Sequence, residues 1–307
     1  MGELENRLSE LSPGRRRLVE QLLKARPAVA PNETSAPGVP REEPRDAGDP
    51  KRSCRLFFDD INRSLDSTEF GRFSLFLNFG YAPIPGLDEC AVVSLPEHFI
   101  NKFSVKLVLE VVGRCPVNGR RILDIGCGRG GTATILDQFF RPRRIVGMDL
   151  SGRAVTVCRR QRLSSSSAFV QADAESLPFP SGSMDVVMNI ESSQSYPNVR
   201  NFYSEVHRVL ENNGHFLYAD VLPVQRSSDW IGLLQATGFH VDADRDITRN
   251  VLRSCDEVAR QRVQAYRSSA NTAVMNNFLG TPGSHVYEEM KAGRWTYRIM
   301  HLRKAVS

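Results

Sequence analysis

An α/β fold with a doubly wound, mostly parallel sheet is predicted by three features of this 307-residue sequence. From residue 121 onward, short apolar runs alternate with amphipathic stretches of helical period. A glycine-rich turn, G-C-G-R-G-G, joins the first apolar run to the first amphipathic one. Acidic residues stand at the ends of three successive runs, which is where a parallel sheet presents its ligand-binding edge.

The elements follow in order. R-I-L-D-I (121–125) is a strand, T-A-T-I-L-D-Q-F-F (132–140) a helix, R-I-V-G-M-D-L (144–150) a strand and G-R-A-V-T-V-C-R-R-Q (152–161) a helix. A short strand A-F-V-Q-A-D (168–173) and the buried strand M-D-V-V-M-N-I (184–190) come next. Helix V-R-N-F-Y-S-E-V-H-R-V-L (199–210) then leads into strand H-F-L-Y-A-D-V-L (215–222). A mainly helical insertion over about 248–291 precedes the last strand, W-T-Y-R-I-M-H-L-R (295–303). Strands that alternate with helices need crossovers on both faces, hence the mostly parallel sheet. One domain is expected over 117–307.

Upstream, Leu4, Leu8, Leu11, Leu18 and Leu22 recur at helical spacing, and Ser12-Pro13 offers a helix start. Residues 1–26 are therefore expected to be an amphipathic helix that docks on the body of the protein, a second copy or another polypeptide. Residues 27–53 are rich in proline and poor in large apolar side chains, the composition of an extended linker. Residues 54–116 carry an aromatic-rich segment (Phe57, Phe58, Phe70, Phe73, Phe76, Phe79, Tyr81) and a helix over S-V-K-L-V-L-E-V-V, and are expected to form a helical lid.

Composition narrows the class. At 41% apolar and 24% charged, the chain is expected to be globular, soluble and cytoplasmic, with no membrane span. Six cysteines without a C-x-x-C pair are expected to be reduced thiols, not a zinc site or disulfides. The net charge of +5 is spread over scattered arginines, so R-P-R-R (141–144) and R-R-Q-R (159–162) are read as solvated faces and no nucleic-acid partner is expected.

The glycine turn and the three acidic residues define the ligand. Gly126, Gly128 and Gly130 allow a tight turn and close approach of a ligand to bare backbone at a helix N-terminus. The same letters satisfy G-x-G-x-x-G, which by itself is a weak dinucleotide signal. Asp124, two residues before the first glycine, suits a cationic amino-acid group and is unfavourable beside a pyrophosphate. Asp149 can accept two ribose hydroxyls, in charge-assisted bonds worth about 1.5–3 kcal/mol each. Asp173 can accept from an exocyclic adenine amine, with Ala174 against the ring. Together they describe S-adenosylmethionine; Leu150, Asn189 and Tyr81 complete the expected cofactor set.

L-D-I-G-C-G-R-G-G, G-M-D-L-S, A-D-A-E-S-L-P-F and L-E-N-N-G-H-F-L-Y-A-D resemble the class I S-adenosylmethionine-dependent methyltransferases over about 100–245. A narrower resemblance over 66–305 rests on S-L-F-L-N-F-G-Y, L-P-E-H-F-I-N-K-F-S-V-K-L-V-L-E, E-S-S-Q-S-Y-P and W-T-Y-R-I-M-H-L-R-K. These look like the O-methyltransferases of polyketide and nonribosomal-peptide pathways, with phthiotriol-type lipid methyltransferases similar. The resemblance implies a Rossmann-like, seven-stranded sheet and a hydroxyl or enol acceptor, free or bound to a carrier protein. L-S-P-G-R-R-R-L-V-E-Q-L-L resembles linker helices of such synthases, which makes a synthase a candidate partner for residues 1–26. A C- or N-methyl acceptor, or a catalytically weakened cofactor-binding module, is the alternative.

An alcohol needs a base within about 2.6–3.2 Å to take its proton during attack. The sulfonium is already a good leaving group, so no metal is called for. The loop E-S-S-Q-S-Y-P (191–197) and the end of the fifth strand place Glu191, Gln194, Tyr196 and Asp220 in range. Relatives commonly have histidine where this sequence has Gln194, and glutamine cannot take a proton at neutral pH. Either Glu191 is the first candidate base and Asp220 the second, or Gln194 only positions the hydroxyl and the chemistry relies on proximity. His207 and His215 are expected to be structural, with His98 and His285 as substitute bases. The aromatic lid and the insertion are expected to exclude water and favour a large apolar acceptor.

Overall fold

The computed structural model describes residues 49–67, 74–85, 101–161, 163–265 and 272–305. Residues 1–26, most of the 27–53 linker, and His98 lie outside the described residues.

The chain folds as α1 (Pro50–Asp66), α2 (Lys102–Val112), β1 (Arg121–Ile125), α3 (Gly131–Phe139), β2 (Arg144–Asp149), α4 (Gly152–Arg159), β3 (Ser167–Gln171) and β4 (Met184–Ile190). It continues as α5 (Val199–Val209), β5 (Leu210–Pro223), α6 (Ser227–Ala236), β6 (Phe239–Asp246), α7 (Thr248–Ala265), α8 (Thr272–Phe278), α9 (His285–Lys291) and β7 (Trp295–Lys304). The seven strands form one sheet in the order β3-β2-β1-β4-β5-β7-β6. β7 runs antiparallel between β5 and β6, and the other neighbouring pairs are parallel.

Alternation along the strands builds a core on each face of the sheet. Ile122, Val186, Met188 and Ala219 pack with Leu107 and Val108 of α2 and Ile135 and Leu136 of α3 on one side. Leu123, Val187, Phe216 and Tyr218 pack with Phe202 and Val206 of α5 on the other. α2 is buried from Phe103 to Val112, so this part of 54–116 is a layer of the core. Within it Lys106 pairs with Glu110 at 3.1 Å, and Arg245 also reaches Glu110.

Two features differ from the sequence reading. Helix α1 begins at Pro50, inside the expected linker: the Asp49 side chain accepts from Lys51 N at 3.0 Å and Pro50 opens the first turn. Strand β6 was not picked out from its residues, because F-H-V-D-A-D-R-D is charged. It is an edge strand whose carboxylates pair with β7, Arg298 on Asp244 and Arg303 on Asp242.

Candidate active site

The chain order reverses between β1 and β4, and the crevice outside those two strand ends is where such sheets bind ligands. One wall is the glycine turn. Gly126, Gly128 and Gly130 all have positive φ, and Gly130 caps α3 without a side chain. A Cβ on Gly126 would collide with the Ser192 hydroxyl and lie 3.1 Å from the Tyr196 hydroxyl, so the turn and the loop after β4 touch here.

Asp149, at the end of β2, accepts from Gly128 N at 2.9 Å and from Ser151 N at 2.8 Å. Burial nevertheless pushes its carboxyl up to about 6, against those two bonds. Asp124 is 1% exposed, and its Oδ2 has no hydrogen-bond partner among the described residues. Burial first, then the charge of Asp149, raise it to about 7. Asp173 accepts from Glu175 N through Oδ1 and from Lys51 Nζ, at 2.6 Å, through Oδ2.

The loop after β4 is tightly tied. Asn189, fully buried, donates to Ile125 O, Ser192 Oγ and Tyr196 OH. Glu191 adopts φ +53°, and its Oε1 accepts from Phe79 N and from Tyr297 OH, both at 2.8 Å. Burial raises the Tyr196 phenol well above its ordinary value. Asp220 lies beneath the loop: its Oδ2 accepts from Ser193 Oγ at 2.7 Å and Gln194 N at 3.1 Å. Burial pushes it up to about 6.

Several of these groups border a cavity of about 610 Å³, within the range of small-molecule sites. Gly126, Gly128, Asp149, Leu150, Asp173, Ala174, Glu191, Gln194 and Tyr196 line it. Asp124, Gly130, Asn189, Asp220 and Tyr81 are not among the lining residues. Asp124 and Asn189 sit one layer behind the turn, and Asp220 is sealed under residues 193–194. The Tyr81 expectation is corrected: at 1% exposure it packs in the core with Val105 and Leu107, because its N–H is bound to Phe103 O beside α2. Neighbouring Asn78 does line the cavity.

The histidines fall elsewhere. His207 packs edge-on to Phe239, and burial lowers both His207 and His215. His285 meets Trp295 edge-on and is not among the lining residues.

Several lining residues escaped the sequence reading, chiefly Lys51, Cys54, Arg129, Ser192, Phe278 and Trp295. Arg129 is 1% exposed and donates to Asn62 and Asp66 of α1. Its place inside the glycine turn was the one available signal, since a long cation among glycines has to point at something.

The strand order and this acidic crevice define an α/β protein built to hold an adenosine with a cationic tail. Residues 123–218 match the family described as "Methyltransferase domain". The chain is 32% identical over 228 residues to a fatty-acid O-methyltransferase of Mycolicibacterium smegmatis, covering 73% of this chain and 81% of that one. It is 29% identical over 252 residues to a phthiotriol/phenolphthiotriol dimycocerosates methyltransferase of Mycobacterium tuberculosis, covering 81% and 91%. Among solved structures, the [4+2]-cyclase SpnF aligns with TM-score 0.64 at 21% identity, over 84% of this chain and 97% of that one. Geranyl diphosphate C-methyltransferase from Streptomyces coelicolor A3(2), solved with S-adenosyl-L-homocysteine, aligns at 0.61 with 16% identity, over 85% and 100%. At these identities the structural matches speak for the fold alone. The chain belongs to the class I S-adenosylmethionine-dependent methyltransferases, and it is an enzyme of that class with S-adenosylmethionine as its cofactor.

The residues present fit the cofactor. The bare backbone at Gly128 leaves room that a Cβ would narrow, and among the described residues a buried carboxylate oxygen of Asp124 lacks a partner behind the turn. Cationic charge nearby would offset both raised carboxyls, Asp124 and Asp149. When bound, S-adenosylmethionine supplies an electrophilic methyl on sulfur.

Proposed function

We propose that the chain methylates a hydroxyl or enol oxygen of a large, lipid-like acceptor of polyketide or polyketide-peptide type. The observation that carries this reading is the apolar part of the cavity lining. Phe57, Phe58, Leu77, Phe278, Val286 and Trp295 line the cavity from four separate segments, α1, the 74–85 stretch, the helical insertion and β7. Such a wall excludes water and suits an acyl or polyketide chain. The fatty-acid and phthiotriol names of the relatives support the same acceptor class.

In this reading Asp149 holds the ribose, Asp173 and Ala174 the adenine, and the turn at 126–130 the amino-acid end, with Asp124 as the charge behind it. Glu191 takes the acceptor's proton. Its carboxylate lines the cavity, and its Oε1 is held in place by Phe79 N and Tyr297 OH. Gln194 orients the acceptor oxygen, and Tyr196 and Asp220 shape the loop. Positioning does most of the work, about 7–11 kcal/mol at best for two ordered reactants. The amphipathic pattern of residues 1–26 supports a docking helix for a synthase, with 27–53 mostly linker.

A second reading is favoured by Gln194. An acceptor that is already ionised, a carboxylate, needs no base at that position. Mass spectrometry with isotope-labelled cofactor and matched long-chain hydroxyl, enol and carboxylate acceptors tests both. Transfer to hydroxyl or enol oxygen, with Glu191→Gln lowering kcat about 100-fold, is the expected result. Carboxylate methylation that Glu191→Gln leaves unchanged would establish the second reading, and labelling only at nitrogen or carbon would overturn both. Gln194→His then reports on the loop: a large gain in turnover marks a weakened natural site, and no gain marks a different base.

A further inference from the structure

Helix α1 is bonded to the loop after each of the four parallel strands that border the cleft. After β1, Arg129 donates to Asp66 Oδ1 at 3.0 Å. After β2, Ser151 Oγ donates to Asp59 at 2.6 Å. After β3, Lys51 Nζ lies 2.6 Å from Asp173 Oδ2 and 2.7 Å from Glu175 Oε2. After β4, Ser195 O accepts from Cys54 Sγ at 3.6 Å. The contact after β3 reaches the carboxylate assigned above to the adenine amine.

We propose that Lys51 is a positioning residue for nucleobase selection, which holds Asp173 aimed so that it accepts from the 6-amino group of adenine. The proposal rests on the reading of Asp173 as the base-binding carboxylate. Lys51 bridges two carboxylates, Asp173 and Glu175, so its removal would leave Asp173 without one of the two bonds that aim it. A carboxylate only accepts hydrogen bonds, so an Asp173 held in place favours an amine over a carbonyl. Two of its lone-pair sites are taken, by Lys51 and by Glu175 N, which fixes the side chain from both sides and leaves the rest of its acceptor capacity. Glu175 is in turn held by Asn198 N at 2.6 Å, so the anchor on the far side of Lys51 is fixed too. A helix outside the parallel core thereby sets which base the core accepts.

Calorimetric titration with S-adenosylhomocysteine and its 6-oxo analogue, S-inosylhomocysteine, tests this without turnover. The native chain is expected to prefer the amino base. Lys51→Met should reduce that preference about tenfold, and Lys51→Arg should retain it. Lys51 is partly exposed in the first turn of α1, so thermal unfolding should confirm that both variants fold. If Lys51→Met weakens both ligands by the same factor, the residue is only a structural tie and the proposal fails. Asp173→Asn separates the two levels. Loss of preference in Asp173→Asn but not in Lys51→Met removes Lys51 alone, and a retained preference in Asp173→Asn removes the base-binding role of Asp173 and the proposal with it.

Discussion

At Gly126 the backbone sits at φ +70°, and its missing side chain is what lets Ser192 and Tyr196 close over the turn. Gly126→Ala should therefore cost about 1–3 kcal/mol of strain and push the 191–197 loop away from the cleft. Urea unfolding and the affinity for S-adenosylhomocysteine should both report it. Charge is the other constraint at this scale. Asp124 (about 7), Asp149 (about 6) and Asp220 (about 6) all sit above the ordinary carboxylate value because they are buried. The native chain thus keeps protons that the unfolded chain has released, so the ligand-free protein should lose stability as pH rises from about 4 through about 6–7. Below about pH 4, where both states are protonated, that contribution is fully present. Asp220→Asn, which removes one of the three groups, should flatten the fall measured by chemical denaturation between pH 4 and 6.

At the scale of elements, α1 is a wall of the site. One of its ties to the core runs through Arg129, whose guanidinium is almost fully buried against Asn62 and Asp66. Removing one partner of a buried cation leaves a desolvated charge. Asp66 is about a third exposed, which reduces the effect. Asp66→Ala should cost about 2 kcal/mol and speed proteolytic cleavage within 50–66, whereas Asp60→Ala, whose salt bridge to Arg63 is exposed, should do little. The loop after β4 is a second such element. Asp220 holds its backbone from below and Glu191 links it to Phe79 and Tyr297, so the loop, the stretch before α2 and β7 form one bonded unit.

Across the whole molecule, binding and folding are linked because the site is assembled from loops after four strands and from α1. A ligand that binds only the folded chain stabilises it by about 2.7 kcal/mol at a hundred times its Kd. S-adenosylhomocysteine should raise the thermal midpoint accordingly, and Asp149→Ala should abolish the shift at the same ligand concentration. No shift in the native chain at millimolar ligand would contradict the cofactor assignment itself. Among the described residues no helix is long and apolar enough to cross a membrane.

Strand-helix alternation, the glycine turn and the acidic strand ends were legible in the sequence because each depends on residues close together in the chain. Asp149, Asp173 and Ala174 were found this way and do line the cavity. Strand β6 was not, because an edge strand covered in charge lacks the apolar alternation of its neighbours. Other features were decided only by tertiary structure. Lys51 and Asp173 are 122 residues apart, and Tyr297 and Glu191 are 106 apart. Nothing local marks a lysine at the start of a helix as a partner for a distant carboxylate, or tells a core tyrosine such as Tyr81 from one that meets a ligand. The sequence by itself determined the parallel part of the sheet, its ligand-binding edge and the acids along it, since backbone period and strand-end position are local properties. Which side chains meet across the cleft follows from packing of segments far apart in the chain, and only the folded molecule decides that.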